Sequence, residues 1–107
     1  MYTRYFIIWR NIEIGYGTLG HVDRWYFDVN WHSFGSGKSV EFEQQVSQFI
    51  PGIIHNDPSL GTRVTLEPEY DRKLKVHAFV MGLREDVLML AEVKEETSIR
   101  WLLRHVR

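Results

Sequence analysis

The alternating stretch from Arg24 to His32 constrains the fold of this chain more than any other part of its sequence. Consecutive side chains of a β-strand point to opposite faces of the sheet. In a strand, the apolar face would consist of Trp25, Phe27, Val29 and Trp31, and the polar face of Arg24, Tyr26, Asp28, Asn30 and His32. The sequence therefore predicts a strand over about 22–32, with one face buried and the other face available for binding.

Composition limits the class of protein to which this chain can belong. Its 107 residues fit one domain, and the absence of cysteine excludes disulfides, thiolate metal sites and cysteine nucleophiles. A net charge of −1 disfavours general attraction to nucleic acid or anionic membranes. The longest apolar run, Ala78 to Leu83, is far too short to span a membrane, and the strand-like N-terminus does not resemble a signal peptide. We expect a cytoplasmic protein with no membrane association.

The first third of the chain predicts a long β-hairpin. Residues 3–9 are β-branched and aromatic, and Ile12 and Ile14 extend the same strand. Three glycines within residues 15–20 predict a loop, which leads into the strand over 22–32.

An amphipathic helix is predicted after this hairpin. Ser39 is the expected N-cap, and Glu41 and Glu43 in the first turn favour the positive end of the helix dipole. One face of the helix would carry Phe42, Val46, Phe49 and Ile50. Pro51-Gly52 would end it, and residues 53–61 would form a loop.

The remainder of the sequence predicts three more strands and a second helix. Val64 and Leu66 alternate in the first strand, and the second covers about 74–82. Turns are expected at 70–73 and 84–86, and the apolar run 87–93 fits a strand better than a helix. The last helix would be capped by Thr97 or Ser98 and would bury Ile99, Leu102, Leu103 and Val106. The predicted fold is a single α+β domain over residues 1–107 with a mainly antiparallel sheet, two helices and the order β-β-α-β-β-β-α.

The sharpest chemical motif is Gly37-Lys38-Ser39, which lies between a predicted strand and a predicted helix. A phosphate-binding loop also needs a glycine five residues before Gly37, but that position is His32. We therefore expect no nucleotide hydrolysis and at most weak anion binding at Lys38 and Ser39. An enzyme or small-ligand protein that uses the Gly35–Ser39 turn for a nucleotide or anion remains the first alternative function.

Two further ligand classes have little support in the sequence. The five histidines lack zinc-ligand spacing, so no metal site and no cofactor are predicted. The second alternative function is nucleic-acid binding through a stripe of arginines on the last helix. This stripe consists of Arg100, Arg104 and Arg107. Because acidic residues outnumber basic ones by 14 to 13, nucleic acid is a disfavoured partner.

The leading functional prediction is a small non-enzymatic module that binds a partner protein as an inhibitor, immunity-type or accessory protein. It rests on the density of tryptophan, tyrosine and arginine, which are enriched at interface hot spots. The predicted contact residues are Tyr16, Arg24, Tyr26, Asp28, Asn30 and His32. The sequence leaves open the identity of the partner, the oligomeric state and an enzymatic site without a recognisable motif.

Overall fold

The computed structural model describes residues 3–93 and Ile99, and its strands close into a six-stranded antiparallel barrel. In chain order the strands are β1 (Arg4–Trp9), β2 (Ile12–Asp23), β3 (Tyr26–Ser33), β4 (Thr62–Pro68), β5 (Val76–Arg84) and β6 (Val87–Glu92). They pair in the order β1-β2-β3-β6-β5-β4, and β4 closes the barrel on β1. The predicted single α+β domain with a mainly antiparallel sheet is confirmed, and the closed barrel makes it more specific.

Three helical segments connect the two halves of the barrel, between β3 and β4. They are α1 (Gly37–Val46), α2 (Pro51–Asn56) and a 3-10 turn (Pro58–Leu60). Across the described part of the chain, no helix is long and apolar enough to cross a membrane. Of the predicted last helix, Ile99 is helical and buried, and its other residues lie outside the described part.

The first third of the chain forms three strands, so the prediction of one long hairpin was wrong. Ile12 and Ile14 do not extend β1 but begin β2, after a two-residue turn. Both turn residues, Arg10 and Asn11, have positive φ angles of 51° and 66°. Such turns match the twist of paired strands, but an Arg-Asn pair gives a much weaker sequence signal than Asn-Gly. The predicted order β-β-α-β-β-β-α therefore lacks one strand before the first helix.

The predicted glycine-rich loop over 15–20 lies inside β2. A Cβ atom on Gly15 would stand 2.6 Å from the Trp31 ring and 2.4 Å from the His32 carbonyl oxygen, and one on Gly17 would stand 2.8 Å from Val29. These glycines therefore let the large side chains of β3 lie directly against the backbone of β2. Glycine in a strand often marks a place where another part of the chain approaches the backbone closely, so it need not indicate a turn.

The apolar face of β3 is buried as predicted, with one exception. Phe27, Val29 and Trp31 belong to the core, and the Trp31 ring centroid lies 5.4 Å from that of Phe42 on α1. Trp25 does not follow them, because it lies in the turn before β3 and is 45% exposed. The prediction of a strand from residue 22 was wrong because β2 continues to Asp23.

The barrel core also contains large side chains from the other strands. Trp9 contributes a ring 5.4 Å from Phe42, and Tyr5 is almost fully buried. Burial raises the pKa of Tyr5 to about 12, because the phenolate would be desolvated among the core side chains.

The helical region departs from the predicted pattern at both ends of α1. Its N-cap is Ser36 rather than Ser39, and its first turn carries no acidic residue. Phe42 and Val46 are buried as predicted, but α1 ends at Val46 and leaves Ile50 58% exposed. The predicted loop over 53–61 instead contains most of α2 and the 3-10 turn, since Pro51 begins a helix rather than ending one.

The second half of the barrel confirms the predicted strands. β4 ends at Pro68, β5 carries the alternating buried residues Val76, Ala78 and Val80, and 87–92 is a strand. Turns join β4 to β5 within 69–73 and β5 to β6 at 85–86, as expected. Outside the barrel, α2 buries Ile54 against Met81 and Ala91, which forms a small second core.

Replacing Trp31 or Phe27 with Ala should lower the free energy of unfolding by about 3–5 kcal/mol, because each change removes a buried aromatic ring. Trp25→Ala is the matched control, and its effect should stay below about 1 kcal/mol since the side chain is half exposed. Chemical denaturation measures all three variants. Equal destabilisation by Trp25→Ala and Trp31→Ala would contradict the assignment of the buried face.

Gly15→Ala should lower the free energy of unfolding by about 1–3 kcal/mol, because the added methyl group overlaps the Trp31 ring and a backbone oxygen. Gly52→Ala is the control, since its added methyl group meets no atom within 4 Å and alanine favours a helix. Thermal unfolding of both variants tests this. A stable Gly15→Ala protein would show that β2 and β3 do not pack this closely.

Candidate functional site

The polar face of β3 lies on the outside of the barrel, and its C-terminal end meets an aromatic residue of β2. Tyr16 pairs with His32 in the register of β2 and β3. Their rings are stacked, with centroids 4.7 Å apart and planes inclined by 13°. The sequence predicted both residues as contact residues, but it placed Tyr16 in a loop. The strand pairing shows instead that Tyr16 is held on a rigid strand.

Three neighbouring side chains extend this stack. The Arg4 guanidinium lies 5.1 Å from the centroid of the Tyr16 ring, and the Phe34 ring centroid lies 6.1 Å from it. Asn30 Nδ2 donates to Thr18 Oγ1 at 3.4 Å beside them. We call Arg4, Tyr16, Asn30, His32 and Phe34 together the Tyr16 surface. It combines a cation, two aromatic rings, an imidazole and an amide on three adjacent segments of chain.

The Tyr16 surface is accessible to solvent. Phe34 is 47% exposed, His32 and Asn30 are exposed, and Tyr16 is half-buried. An open depression of about 570 Å³ adjoins the surface. Its walls include Tyr16, Asn30 and His32 together with Trp31, Ser33 and Asp86.

The other three predicted contact residues lie toward the opposite end of β3. Tyr26 stacks on His55 of α2, with centroids 4.3 Å apart, so its ring is partly covered. The Asp28 carboxylate accepts a hydrogen bond from the His21 backbone N–H at 2.8 Å and thereby holds the irregular segment of β2. Arg24 is exposed in the turn before β3 and has a positive φ angle of 59°. The structure therefore brings Tyr16, Asn30 and His32 together and separates them from Arg24 and Tyr26.

Lys38 and Ser39, the two predicted anion-binding residues of the Gly35–Ser39 turn, both form hydrogen bonds within the protein. The Ser39 hydroxyl is buried and donates to the Ile14 carbonyl oxygen at 2.6 Å. The Lys38 ammonium donates to Glu41 at 3.0 Å, and this contact lowers the pKa of the Glu41 carboxyl. Ser39 thus joins α1 to β2, which is a structural role. Anion binding at Lys38 and Ser39 stays a prediction.

A second group of charged side chains fixes the connection between β4 and β5. Glu67 accepts hydrogen bonds from Arg72 and Lys75, and Arg72 also contacts Glu13. The Arg72 guanidinium lies 4.2 Å from the Phe6 ring centroid. These contacts attach residues 69–75 to the outside of β1 and β2.

Sequence reasoning missed Arg4, Phe34 and Asp86 as members of the site. Alternation along β1 indicates that Arg4 is exposed on the outside of the barrel, because the next residue, Tyr5, faces the core. Phe34 follows β3 and Asp86 precedes β6, so neither has a strand alternation to indicate its direction. Their positions depend on how the strands pair in the barrel. The predicted arginine stripe, Arg100, Arg104 and Arg107, lies outside the described residues. Between residues 3 and 93, no group of three or more His, Asp or Glu side chains is arranged to hold a metal ion.

The chain gives no significant match to any protein-family model, to any curated protein or to any solved structure.

Ser39→Ala should lower the free energy of unfolding by about 0.5–1.5 kcal/mol, because it removes the buried hydrogen bond from Ser39 to the Ile14 carbonyl and leaves that oxygen with only its bond from Phe34 N–H. Lys38→Ala is the control, since an exposed ion pair contributes at most about 1 kcal/mol. Denaturant titration compares the two variants. If Ser39→Ala leaves stability unchanged while Lys38→Ala lowers it, the structural role assigned to Ser39 is wrong.

Proposed function

We propose that this chain is a small protein-binding module of the inhibitor, immunity or accessory type, which acts by occupying a surface of a partner protein. The observation that supports this most is the exposed stack of Arg4, Tyr16 and His32 on the outside of the barrel. Tyrosine and arginine supply much of the binding energy at protein interfaces, because each combines a large contact area with a polar group. The Tyr16 surface offers both residue types side by side.

Rigidity also favours binding through this surface. Tyr16 and His32 lie on paired strands of a closed barrel, and Arg4 lies on the neighbouring strand. Side chains that are already stacked lose less conformational freedom when a partner covers them. The proposed centre of the interface is the Tyr16 surface, and Arg24, Tyr26 and Asp28 form its rim toward α2.

The experiment begins with capture of the partner by the tagged full-length chain in lysate of the native host, and with its identification by mass spectrometry. The purified partner is then titrated calorimetrically with the wild-type chain and its variants. Tyr16→Ala and His32→Ala should each weaken binding by about 1–3 kcal/mol, as hot-spot truncations do. Both residues lie at the surface, so the melting temperature should change by only a few degrees.

Leu60→Ala is the matched control, because Leu60 is 57% exposed and lies on the 3-10 turn. It should leave partner affinity within about twofold, a difference of roughly 0.4 kcal/mol. Arg24→Ala should weaken binding less than Tyr16→Ala, as expected for a residue at the rim. Normal binding by stable Tyr16→Ala and His32→Ala variants would overturn the proposed site. A co-purifying small molecule without any stoichiometric protein would instead favour the enzyme or small-ligand alternative.

A further inference from the structure

The closed barrel leaves a short edge of β3 open beside the Tyr16 surface. β3 extends to Ser33, but its pairing with β6 ends at Asn30 and Val87. The next hydrogen bond on this side runs from Trp31 N–H to the Asp86 carbonyl oxygen at 2.7 Å, and there the chain of β6 turns away toward β5. The last residues of β3 therefore have a neighbouring strand on the β2 side only.

The pairing register shows which backbone groups face the open side. Phe34 N–H donates to the Ile14 carbonyl oxygen, and Trp31 N–H donates to Asp86. Backbone groups alternate in direction along an antiparallel strand, so even-numbered residues face β2 and odd-numbered residues face β6. The N–H and C=O groups of Ser33 therefore point to the open side. Ser33 is exposed, and within residues 3–93 no strand lies there to pair with it.

The chain bends away directly after Ser33 and keeps this edge accessible. The Ser33 hydroxyl accepts a hydrogen bond from Gly35 N–H at 2.9 Å, and Gly35 has a positive φ angle of 72°. Exposed strand edges bind extended chains, because their free N–H and C=O groups pair with those of another strand.

The charge beside the edge indicates the chemistry of the occupant. Glu85 and Asp86 form the turn between β5 and β6, and both are exposed. Neither carboxylate forms an ion pair with another residue of the described part of the chain. Asp86 lines the same depression as Tyr16 and His32. A lysine or arginine in this depression would place its cation near Asp86 and its aliphatic stem against aromatic rings.

We propose that this edge receives an extended, basic segment of the partner protein, which adds a short strand to β3 at Ser33 and places a lysine or arginine beside Asp86. This inference rests on the proposed function and specifies the chemistry of its partner. Backbone pairing supplies the position of the segment, Asp86 supplies the preference for a cationic side chain, and the aromatic rings of the Tyr16 surface would contact its aliphatic stem.

The test uses synthetic nonapeptides of alternating threonine and valine with a central lysine, and a matched set with a central glutamate. NMR spectra of the full-length ¹⁵N-labelled chain report binding residue by residue. The lysine peptide should shift the amide signals of Trp31 and Ser33 saturably and slow hydrogen exchange of the Ser33 amide at least tenfold. The glutamate peptide should bind at least tenfold more weakly.

Variants at the edge separate backbone pairing from side-chain contact. Ser33→Pro removes the exposed N–H and should lower the affinity for the lysine peptide at least tenfold. Leu60→Ala, on the exposed 3-10 turn outside the edge, should bind within twofold of the wild type. Asp86→Asn should reduce the preference for lysine over glutamate to less than threefold.

A peptide variant keeps the test valid if Ser33→Pro does not fold. Methylation of alternate backbone nitrogens in the lysine peptide blocks strand pairing and should abolish its binding to the wild-type chain. The inference is overturned if 1 mM lysine peptide shifts no signal of β3, or if the methylated peptide binds equally well. A wild-type dimer that becomes monomeric in Ser33→Pro would also overturn it, since the edge would then receive a second copy of this chain.

The variants also distinguish this inference from the proposed function. A partner that loses affinity with Tyr16→Ala but binds Ser33→Pro normally would retain the proposed function and overturn strand addition. A partner that binds Tyr16→Ala and His32→Ala normally would overturn the proposed site. Recovery of a small molecule without any stoichiometric protein would contradict the proposed function, whatever the peptides do.

Discussion

The packing of Trp31 against Gly15 is the contact on which much of this structure depends. The Trp31 ring occupies the space that a side chain at position 15 would need, and its other side packs on Phe42 of α1. This contact joins β2, β3 and the first helix in one place. Because side chains alternate along a strand, a shift of β3 by one residue would move Trp31 out of the core and His32 into it. The register is therefore strongly specified by burial.

The same register creates the candidate site. With Trp31 directed inward, His32 must face outward, and it then lies opposite Tyr16 on β2. Arg4 reaches the Tyr16 ring from β1, on the other side of β2. The proposed binding surface is thus the outer side of the region where Trp31 packs against Gly15 and Phe42. A rigid core beneath a surface keeps its exposed side chains in place and lowers the entropy cost of binding.

Most strand edges of the barrel are paired, but the end of β3 extends beyond its partner β6. Pairing of β4 with β1 removes the outer edges of the sheet, so most of the backbone is not available to another chain. The short overhang of β3 beyond β6 is an exception, and it lies next to the Tyr16 surface and the exposed carboxylate of Asp86. The proposed partner would therefore contact side chains and pair with backbone groups at the same place.

The sequence by itself determined the strands whose residues alternate clearly between buried and exposed positions. Phe27, Val29 and Trp31 were correctly assigned to the core, because burial on one face imposes a period of two. The pattern failed at Trp25, where a turn interrupts the strand, and at residues 15–20, where glycines typical of turns serve close packing between strands. In both places the local residue pattern fits a turn and a strand equally well.

Only the tertiary structure decided how these strands form a barrel and which polar residues share a surface. Tyr16 and His32 are sixteen positions apart, and Asp86 is far from both in the chain, yet pairing of β2, β3 and β6 brings them around one depression. Alternation shows which way a side chain points but not which strand lies beside it. That choice depends on the packing of all six strands around one core, which no short segment of sequence contains.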